Sequence, residues 1–260
     1  MFHNKYDTDV STWSPAGRLH QVEYAMEAVK QGGATVGIKG KDVAVLASLK
    51  RSPDAVLGSY QKKMFVVDEH VGIAIAGLTG DARALSKFMR TESLYHRFQY
   101  ESSIPIGKLV EVVGDKSQIS TQFYGRRPYG VGLLVAGYDA AGVHVFQTCP
   151  SGNVYDYRAV AIGGRSQSAK TYLEKHADEF AECEGDALVR HALQALRHTT
   201  GDSTQLTSRN TAIALVGKDL PFRIYEDDEV EPFISQVEDA PGDEEEMDEE
   251  PVPPREMDLD

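Results

Sequence analysis

The sequence contains little cysteine and no long apolar run. Its two cysteines, Cys149 and Cys183, lie in unrelated contexts without CxxC or Cys/His spacing, so neither a disulfide framework nor a zinc site is indicated. The lack of any stretch of about 18 uninterrupted apolar residues argues against a membrane span. The first residues contain no basic segment followed by an apolar run, so we expect no signal peptide and a protein that stays inside the cell.

The chain also lacks an excess of basic residues, and its negative charge is unevenly distributed. The net charge is −13, but residues 226–260 contain 17 acidic residues and one basic residue, so residues 1–225 carry a net charge of +3. A body so close to neutral offers no basic stripe for phosphate contacts, and we expect no nucleic-acid partner. Residues 238–260 are predicted to be a disordered acidic tail, either a solvated solubilising end or a docking site for a basic partner.

Motifs of common hydrolases and nucleotide-binding proteins are missing as well. Neither a G-x-S-x-G elbow nor an H-E-x-x-H helix occurs. Residues 163–170 (GGRSQSAK) resemble a phosphate loop but lack its second glycine and its Lys-Ser/Thr ending. His176, His191 and His198 fall in predicted helices, where we expect structural or surface roles for them. No ordinary hydrolase site is recognisable, and no metal or cofactor is expected.

Apolar periodicity predicts the order of the helices and strands. Leu19, Val22, Met26 and Val29 are spaced so that they share one face of an early helix, which stops near residues 32–33. Thr79 is expected to cap a second helix, and Pro105 to lie in the first turn of a third. We predict strands at 34–38, 43–47, 64–67, 71–76, 131–138, 143–148, 155–162, 211–217 and 222–225, and later helices at 79–98, 105–116, 166–176 and 187–198.

This order of elements favours an α+β fold. Two β-rich segments, each followed by a pair of helices, are typical of mixed sheets stacked face to face with helices outside. A parallel doubly wound fold would alternate strand and helix more strictly. No repeat of about 20 to 50 residues occurs and the first low-complexity segment is the tail, so residues 1–237 are interpreted as one domain followed by an extension.

The N-terminal residues resemble a known family signature. Tyr6 and Asp7, followed by residues 14–29 (SPAGRLHQVEYAMEAV), resemble the N-terminal signature of proteasome core-particle α-subunits. Trp13 and residues 26–32 resemble one eukaryotic type of α-subunit in particular. The resemblance implies a four-layer αββα sandwich, the fold of N-terminal nucleophile hydrolases. It divides the chain into an N-terminal gate segment with its helix at 1–33, a sandwich domain at 34–237 and the acidic tail at 238–260.

The same resemblance implies that the chain is catalytically inert. Active proteasome β-subunits use a threonine exposed by processing, whose own α-amino group serves as base with help from an acidic residue and a lysine. Alignment of residues 35–37 with the start of a β-subunit puts Gly33 at the position of the nucleophile and Leu49 at that of the acid. Glycine has no hydroxyl, and leucine takes no proton. We therefore expect a structural subunit of a multi-subunit threonine protease in which the β-subunits catalyse.

The resemblance also implies a role at the axial pore. By resemblance, Tyr6, Asp7, Pro15 and Tyr24 correspond to the cluster that holds the open gate. The residue types agree with this role, since phenolic hydroxyls can donate to an aspartate and proline restricts the reverse turn. The alternative interpretation is that both tyrosines merely pack under the helix. Thr8 stands where many members have arginine, which removes a charged contact to a neighbouring subunit.

A second implied role is the docking of activators. Lys63 matches the lysine that receives the C-terminal carboxylate of activator or ATPase tails, with Gly17, Leu19 and Gly32 as supporting wall positions. The alternative for Lys63 is an ordinary solvated charge before a strand. Met26 replaces a basic residue found in some relatives. The two arginines at 126–127 are interpreted either as ring-interface residues or as solvated loop residues.

By resemblance, the expected partners are other α-subunits in a hetero-heptameric ring, β-ring subunits, and an ATPase regulatory particle or other activators. The process is ubiquitin-dependent proteolysis in the cytoplasm and nucleus, with no membrane partner. Two other functions remain open on the sequence alone. An autoprocessed N-terminal nucleophile hydrolase requires a mature N-terminus at a nucleophile, and an acidic-tail binding module requires residues 238–260 for partner binding.

Overall fold

The described part of the chain contains ten strands and six α-helices. The computed structural model describes residues 5–50, 61–200 and 205–238, without the side chains of residues 236–238. The strands are β1 (Thr35–Lys39), β2 (Val43–Leu49), β3 (Met64–Asp68), β4 (Val71–Gly77), β5 (Val131–Asp139), β6 (Gly142–Thr148), β7 (Val154–Asp156), β8 (Ala159–Ile162), β9 (Thr211–Gly217) and β10 (Leu220–Glu226). The helices are α1 (His20–Lys30), α2 (Thr79–Tyr100), α3 (Ile106–Ile119), α4 (Ser166–Lys175), α5 (Gly185–Thr200) and α6 (Glu231–Glu238). Within these ranges, every helix is too short or too polar to cross a bilayer.

The strands form two five-stranded sheets, ordered β10-β9-β2-β1-β8 and β3-β4-β5-β6-β7. The two predicted N-terminal hairpins are confirmed, since β1 pairs with β2 and β3 pairs with β4. All strand pairs among the described residues are antiparallel, so the prediction of mixed sheets was wrong. The reason is that tight turns join antiparallel neighbours, and a helix pair such as α2–α3 returns the chain to the end of the sheet that it left.

Three apolar layers hold the elements together. Val36 and Ile38 of one sheet pack with residues of α4 and α5. Leu46 and Ala74 belong to the layer between the two sheets, and Ile73 belongs to the layer under α2 and α3. Each buried Val, Leu or Ile side chain of these layers contributes roughly 1.5–3 kcal/mol relative to an exposed one. The resulting order of helices, sheet, sheet and helices confirms the four-layer αββα sandwich.

The predicted strand at 155–162 was wrong in one respect, because the structure divides it between the two sheets. Its first part, β7, pairs with β6, and its second part, β8, pairs with β1. Between them the Tyr157 N–H donates to the Val145 carbonyl at 2.9 Å, and the Arg158 carbonyl accepts from the Lys39 N–H at 2.7 Å. Residues on both sides of the connection suit strands, so propensity alone does not reveal the change of sheet.

Two predicted helix starts differ from the structure by one position. Thr79 is the first residue of α2 rather than its cap, and the N-cap position is held by Leu78 without a side-chain hydrogen bond. Pro105 is the N-cap residue of α3 rather than part of its first turn. The carboxylate of Asp139, far along the chain, accepts the Ile106 N–H at 2.9 Å and satisfies that helix end.

The two terminal helices of the described chain also depart from the sequence pattern. α1 buries Ala25 and Val29 against β4 and β5, whereas Met26, predicted on the same face, is 40% exposed. The buried face is therefore narrower than the periodicity indicated.

α6 was not predicted, because the acidic residues around it masked a short apolar pattern. Val230 and Ile234 are buried in the layer that contains α5.

Candidate functional site

The position that aligns with the nucleophile of active β-subunits lies where α1 leads into β1. Gly33 is buried, and a Cβ atom added to it would lie closer than 3.0 Å to the Leu49 carbonyl oxygen. The same atom would be 3.4 Å from the ammonium nitrogen of Lys63. The structure thus brings together Gly33, Leu49 and Lys63. Sequence reasoning placed Lys63 in a docking pocket and missed its position beside Gly33.

Backbone atoms fill the space that a catalytic side chain would need. The Gly164 N–H donates to the Gly32 carbonyl at 2.8 Å, and the Leu49 N–H donates to the Ala34 carbonyl at 2.8 Å. A Cβ atom on Gly32 would also lie closer than 3.0 Å to the backbone of the residues at the end of β4. Glycine is required at both positions because the main chain approaches from two directions. The junction is therefore closed as well as lacking a hydroxyl.

Thr35 offers the nearest threonine hydroxyl along the chain, but its contacts hold it in the core. It is fully buried, and its hydroxyl donates to the Ile75 carbonyl at 3.1 Å and lies 3.0 Å from the Ser48 hydroxyl. Its nitrogen belongs to a peptide bond within β1, so it offers no α-amino group as a base. Thr35 therefore has neither the freedom nor the base that a terminal-threonine mechanism needs.

The four residues predicted for the docking pocket lie at two ends of α1. Gly32 and Lys63 are at its C-terminal end, where the Lys63 side chain is only 2% exposed. Gly17 lies in the turn before the helix with open space around its Cα, and Leu19 is the N-cap residue. Eleven helical residues separate the two pairs, a length of about 16 Å. The two pairs are therefore too far apart to form one pocket within a single chain.

The predicted gate residues Asp7 and Tyr24 are in direct contact. The Tyr24 hydroxyl donates to Asp7 Oδ2 at 3.1 Å, and this carboxylate raises the pKa of Tyr24 above its ordinary value. The Gln21 side chain, one turn before Tyr24 on α1, donates to the Asp7 carbonyl oxygen. Gln21 was not among the predicted residues, although its spacing of three from Tyr24 indicates the same helix face. Tyr6 is exposed, at 37%.

Pro15 lies at the exposed tip of a closed turn that leads into α1. The Ser14 hydroxyl accepts the Arg18 N–H at 3.0 Å, and the Ser14 N–H donates to the Arg18 carbonyl at 2.9 Å. Gly17 has φ of +73°, which glycine adopts without steric cost. Arg18 in turn holds Glu23 through two hydrogen bonds of 2.6 Å. Hydrogen bonds within residues 14–18 thus shape the turn, and proline restricts its backbone further.

Sequence reasoning missed a partly buried ion pair close to the N-terminal segment. Arg127 binds the carboxylate of Asp81 through two hydrogen bonds of 2.7 and 2.8 Å, and the Gly130 N–H donates to the same carboxylate at 2.8 Å. The Arg127 guanidinium lowers the pKa of Asp81. On the same loop, the Gly125 N–H donates to Asp9 Oδ2 at 3.3 Å. Arg127 therefore has a partner within the chain, which neither interpretation of it predicted.

A cavity of about 420 Å³ opens beside the C-terminal end of α1. Met26, Lys30, Cys149, Arg165 and Lys170 are among its lining residues, so three cationic side chains border it. Burial raises the pKa of the Cys149 thiol. A thiol with a raised pKa is mostly protonated near neutral pH and is a poor nucleophile, so the cavity offers positive charge rather than covalent chemistry.

Comparisons with known proteins agree with this geometry. A family model for the N-terminal signature of A-type proteasome subunits matches residues 6–28, and one described as "Proteasome subunit" matches residues 29–216. The first match ends within α1, and the second includes the junction at Gly33 and most of both sheets. Together they confirm the family resemblance stated from residues 6–29.

Individual relatives resemble the chain over nearly its whole length. "Proteasome subunit alpha type-1" of Dictyostelium discoideum is 57% identical over 239 residues, which are 92% of this chain and 96% of that protein. Proteins of the same name are 52% identical in Trypanosoma brucei rhodesiense, over 94% of this chain and 91% of that protein, and 50% identical in Caenorhabditis elegans, over 93% and 92%. The α-subunit type indicated by Trp13 and residues 26–32 is type 1, and that resemblance is confirmed.

Proposed function

The chain belongs to the proteasome α-subunit family, and on that premise we propose that it is a non-catalytic ring subunit of the core particle. It contributes to assembly of the α-ring, to the axial gate and to the docking of regulatory particles in ubiquitin-dependent protein degradation. Peptide bonds are cut by the β-subunits. The supporting observation is the junction at Gly33, where backbone atoms of Leu49 occupy the space of a nucleophile side chain.

The gate role is supported by the contact between α1 and the segment before it. Tyr24 and Gln21 each hold Asp7 through a hydrogen bond, and all of these groups are exposed or half-exposed. An exposed bond of this kind contributes little to stability and exchanges readily with water or with another partner. That property suits a segment that must adopt different positions at a pore. Tyr6 and Pro15 are proposed to complete the cluster with neighbouring subunits.

The docking role is supported by the arrangement of Lys63 and Gly32 at one end of α1 and of Gly17 and Leu19 at the other. In a ring of similar subunits, one end of a chain meets the opposite end of its neighbour, so a pocket between two chains combines both pairs. The ammonium of Lys63 is largely shielded from solvent, which strengthens its attraction for a carboxylate that reaches it. The ligand in this proposal is the C-terminal carboxylate of an activator or ATPase tail.

The proposed partners follow from the same role. They are other α-subunits in a hetero-heptameric ring, the β-ring subunits, and the ATPase regulatory particle or other activators. The proposed location is the cytoplasm and nucleus. The residue bounds expected for the gate segment, the sandwich and the acidic tail remain part of the proposal, and the tail beyond Glu238 lies outside the described residues.

The proposal is tested on the complex that a tagged full chain forms in cells. Native mass spectrometry and negative-stain imaging are expected to find the chain in stacked heptameric rings, with its N-terminal residues still attached. A threonine-directed inhibitor is expected to label other subunits and to leave this chain unlabelled. A stable monomer, or a chain that is cleaved before Gly33 or Ala34 and labelled by the inhibitor, contradicts the proposal and favours the autoprocessed hydrolase.

A deletion separates the remaining alternative. Removal of residues 239–260 is expected to leave co-purification with the other ring subunits unchanged, because the proposed ring contacts lie in the folded part of the chain. The full chain with the same tag is the matched control. Loss of every partner on deletion of the tail contradicts the proposal and favours an acidic-tail binding module.

A further inference from the structure

Three side chains that bind metal ions well converge where α4 turns into α5. His176 follows the last residue of α4, Glu179 lies in the connecting turn, and His191 lies on α5. His176 Nδ1 is 3.1 Å from Glu179 Oε1, and His191 Nε2 is 3.5 Å from Glu179 Oε2. One ligand atom from each residue lies within 4.8 Å of those of the other two. The sequence pattern indicated structural or surface roles for both histidines and did not bring them together.

The contact at the other ring nitrogen of His191 suits a metal ligand. The Tyr172 hydroxyl hydrogen-bonds the Gln194 side-chain oxygen and lies 3.0 Å from His191 Nδ1, where it is an acceptor for the Nδ1–H tautomer of that ring. In the neutral ring this leaves the lone pair on Nε2, which faces the Glu179 carboxylate. A hydrogen bond from the other ring nitrogen to a fixed acceptor is the arrangement that orients histidine ligands in metal sites.

We propose that His176, Glu179 and His191 bind one Zn²⁺ ion. Zinc takes nitrogen and oxygen ligands at about 2.0–2.2 Å in a tetrahedron, whose ligand atoms are then about 3.3 Å apart. The separations from His176 Nδ1 to Glu179 Oε1 and from His191 Nε2 to Glu179 Oε2 are 3.1 and 3.5 Å, so each ring already lies near that distance from an oxygen of the same carboxylate. Two imidazoles and one carboxylate suit zinc better than calcium or magnesium, which prefer oxygen ligands. The ion links the end of α4 to α5 and takes water as its fourth ligand.

Aromatic side chains enclose one side of the proposed zinc site, and the other side faces solvent. The side chains of His176 and His191 are only 15% and 16% exposed, and the ring of Tyr172 lies 4.5 Å from that of His176. Phe180 is buried and its ring centroid lies 5.3 Å from that of His191. The Glu179 side chain is 57% exposed, so an ion and its water ligand reach the site from the solvent side. Aromatic rings thus restrict the ligands on one side without blocking entry on the other.

The competing explanation is that the two histidines only hydrogen-bond Glu179 and hold no metal. It uses the same contacts, but it predicts no stoichiometric zinc binding. The test uses the full chain, first treated with a chelator and then dialysed against zinc sulfate. We expect one zinc per chain, with an X-ray absorption spectrum that shows nitrogen and oxygen at about 2.0–2.2 Å and no sulfur at about 2.3 Å. Absence of bound zinc, or a sulfur ligand from Cys149 or Cys183, overturns the proposal.

Substitutions test whether His176, Glu179 and His191 are the zinc ligands. Glu179→Gln and His191→Gln are each expected to lose the bound zinc, whereas His96→Gln, on α2 and outside the ligand set, retains it. Tyr172→Phe keeps every ligand but removes the hydrogen bond to His191, and is expected to weaken zinc binding about tenfold. Glu179 is half-exposed, so its variant decides the question even if His191→Gln does not fold. Full zinc binding by Glu179→Gln, or its loss in His96→Gln, contradicts the assignment.

Discussion

The junction at Gly33 and the segment around Asp7 lie in the same N-terminal part of the chain but are held in opposite ways. The junction is buried, and backbone atoms from Leu49 and Gly164 surround it. The segment rests on the surface through hydrogen bonds from Tyr24 and Gln21. A buried backbone contact cannot rearrange without local unfolding, whereas an exposed hydrogen bond can be exchanged for one to water. The difference suits a closed junction beside the segment that we propose moves at the gate.

A methyl group at the junction gives the strongest test of this difference. Gly33→Ala is expected to reduce the free energy of unfolding by about 3 kcal/mol, because its Cβ meets the Leu49 carbonyl and neither backbone can move aside. Urea denaturation of the full chain measures the change. The matched control is Gly80→Ala in α2, where open space surrounds the new Cβ and helix propensity adds up to about 1 kcal/mol. Equal effects of the two substitutions contradict a rigid junction.

The ion pair between Asp81 and Arg127 is partly buried, so its loss is expected to change the free energy of unfolding less than a substitution at the buried junction and more than one at the exposed segment. Asp81→Asn is expected to lower the free energy of unfolding by about 2 kcal/mol near neutral pH, because charged hydrogen bonds to Arg127 and Gly130 are lost. Urea denaturation over a range of pH measures the difference from the unsubstituted chain. Asp115→Asn, an exposed position on α3, is the control and is expected to change stability little.

The pH dependence of that difference has a definite sign. The pKa of Asp81 is lowered in the folded state, so its stabilisation is fully present above the unfolded value near 3.8. It is lost as the pH falls through the lower folded value. The stability difference between the unsubstituted chain and Asp81→Asn is therefore expected to shrink on acidification below about pH 4. A difference that grows on acidification contradicts the ion pair.

The smallest effect on stability is expected at Tyr24. Tyr24→Phe removes the hydroxyl that donates to Asp7, so hydrogen exchange at the Ser11 and Thr12 amides, which donate to Asp9 in the same segment, is expected to quicken while the urea midpoint stays unchanged. Tyr95→Phe, an exposed tyrosine on α2, is the control and is expected to leave that exchange unchanged. Unchanged exchange in Tyr24→Phe contradicts the proposed hold on the segment.

Titration of the Tyr24 hydroxyl tests its contact with Asp7 independently. Asp7 raises the pKa of Tyr24 above its ordinary value of 10.0, so Asp7→Asn is expected to lower that pKa. Since the folded value is raised, the bond stabilises the folded chain below about pH 10 and is lost as the pH rises through the folded value. Ultraviolet difference absorption of the phenolate measures the shift, with Tyr24→Phe used to identify the signal.

Local patterns in the sequence predicted most elements because helices and strands carry their own periodicity. β1 to β4 and α2 to α5 occur where apolar spacing placed them. The same patterns could not show that residues 155–162 change sheets, since that depends on which strand edges are unpaired in the folded chain. The exposure of Met26 was also not predictable from the helix pattern, because the width of the buried helix face depends on how the neighbouring strands pack against it.

Side-chain pairs distant in sequence were the part of the site that local reasoning could not reach. Asp81 and Arg127 are 46 residues apart, and His176 and His191 belong to different helical segments. Tyr24 and Asp7 were grouped because they share a short signature. Lys63 was assigned to a docking pocket, but its burial beside Gly33 was not predicted, because a lysine before a strand is normally exposed. Such contacts are set by the packing of layers rather than by spacing.

The short link between β7 and β8 restricts how the sandwich comes apart. Two extended residues span at most about 7 Å, so Tyr157 and Arg158 keep the two sheet edges together even after their hydrogen bonds break. On the other side, the Phe222 N–H donates to the Glu69 carbonyl at 2.6 Å, and the buried Phe222 ring packs against Gly72 of β4, so non-covalent contacts hold that edge. The two sheets are therefore tethered by the chain itself at one edge and by packing and hydrogen bonds at the other.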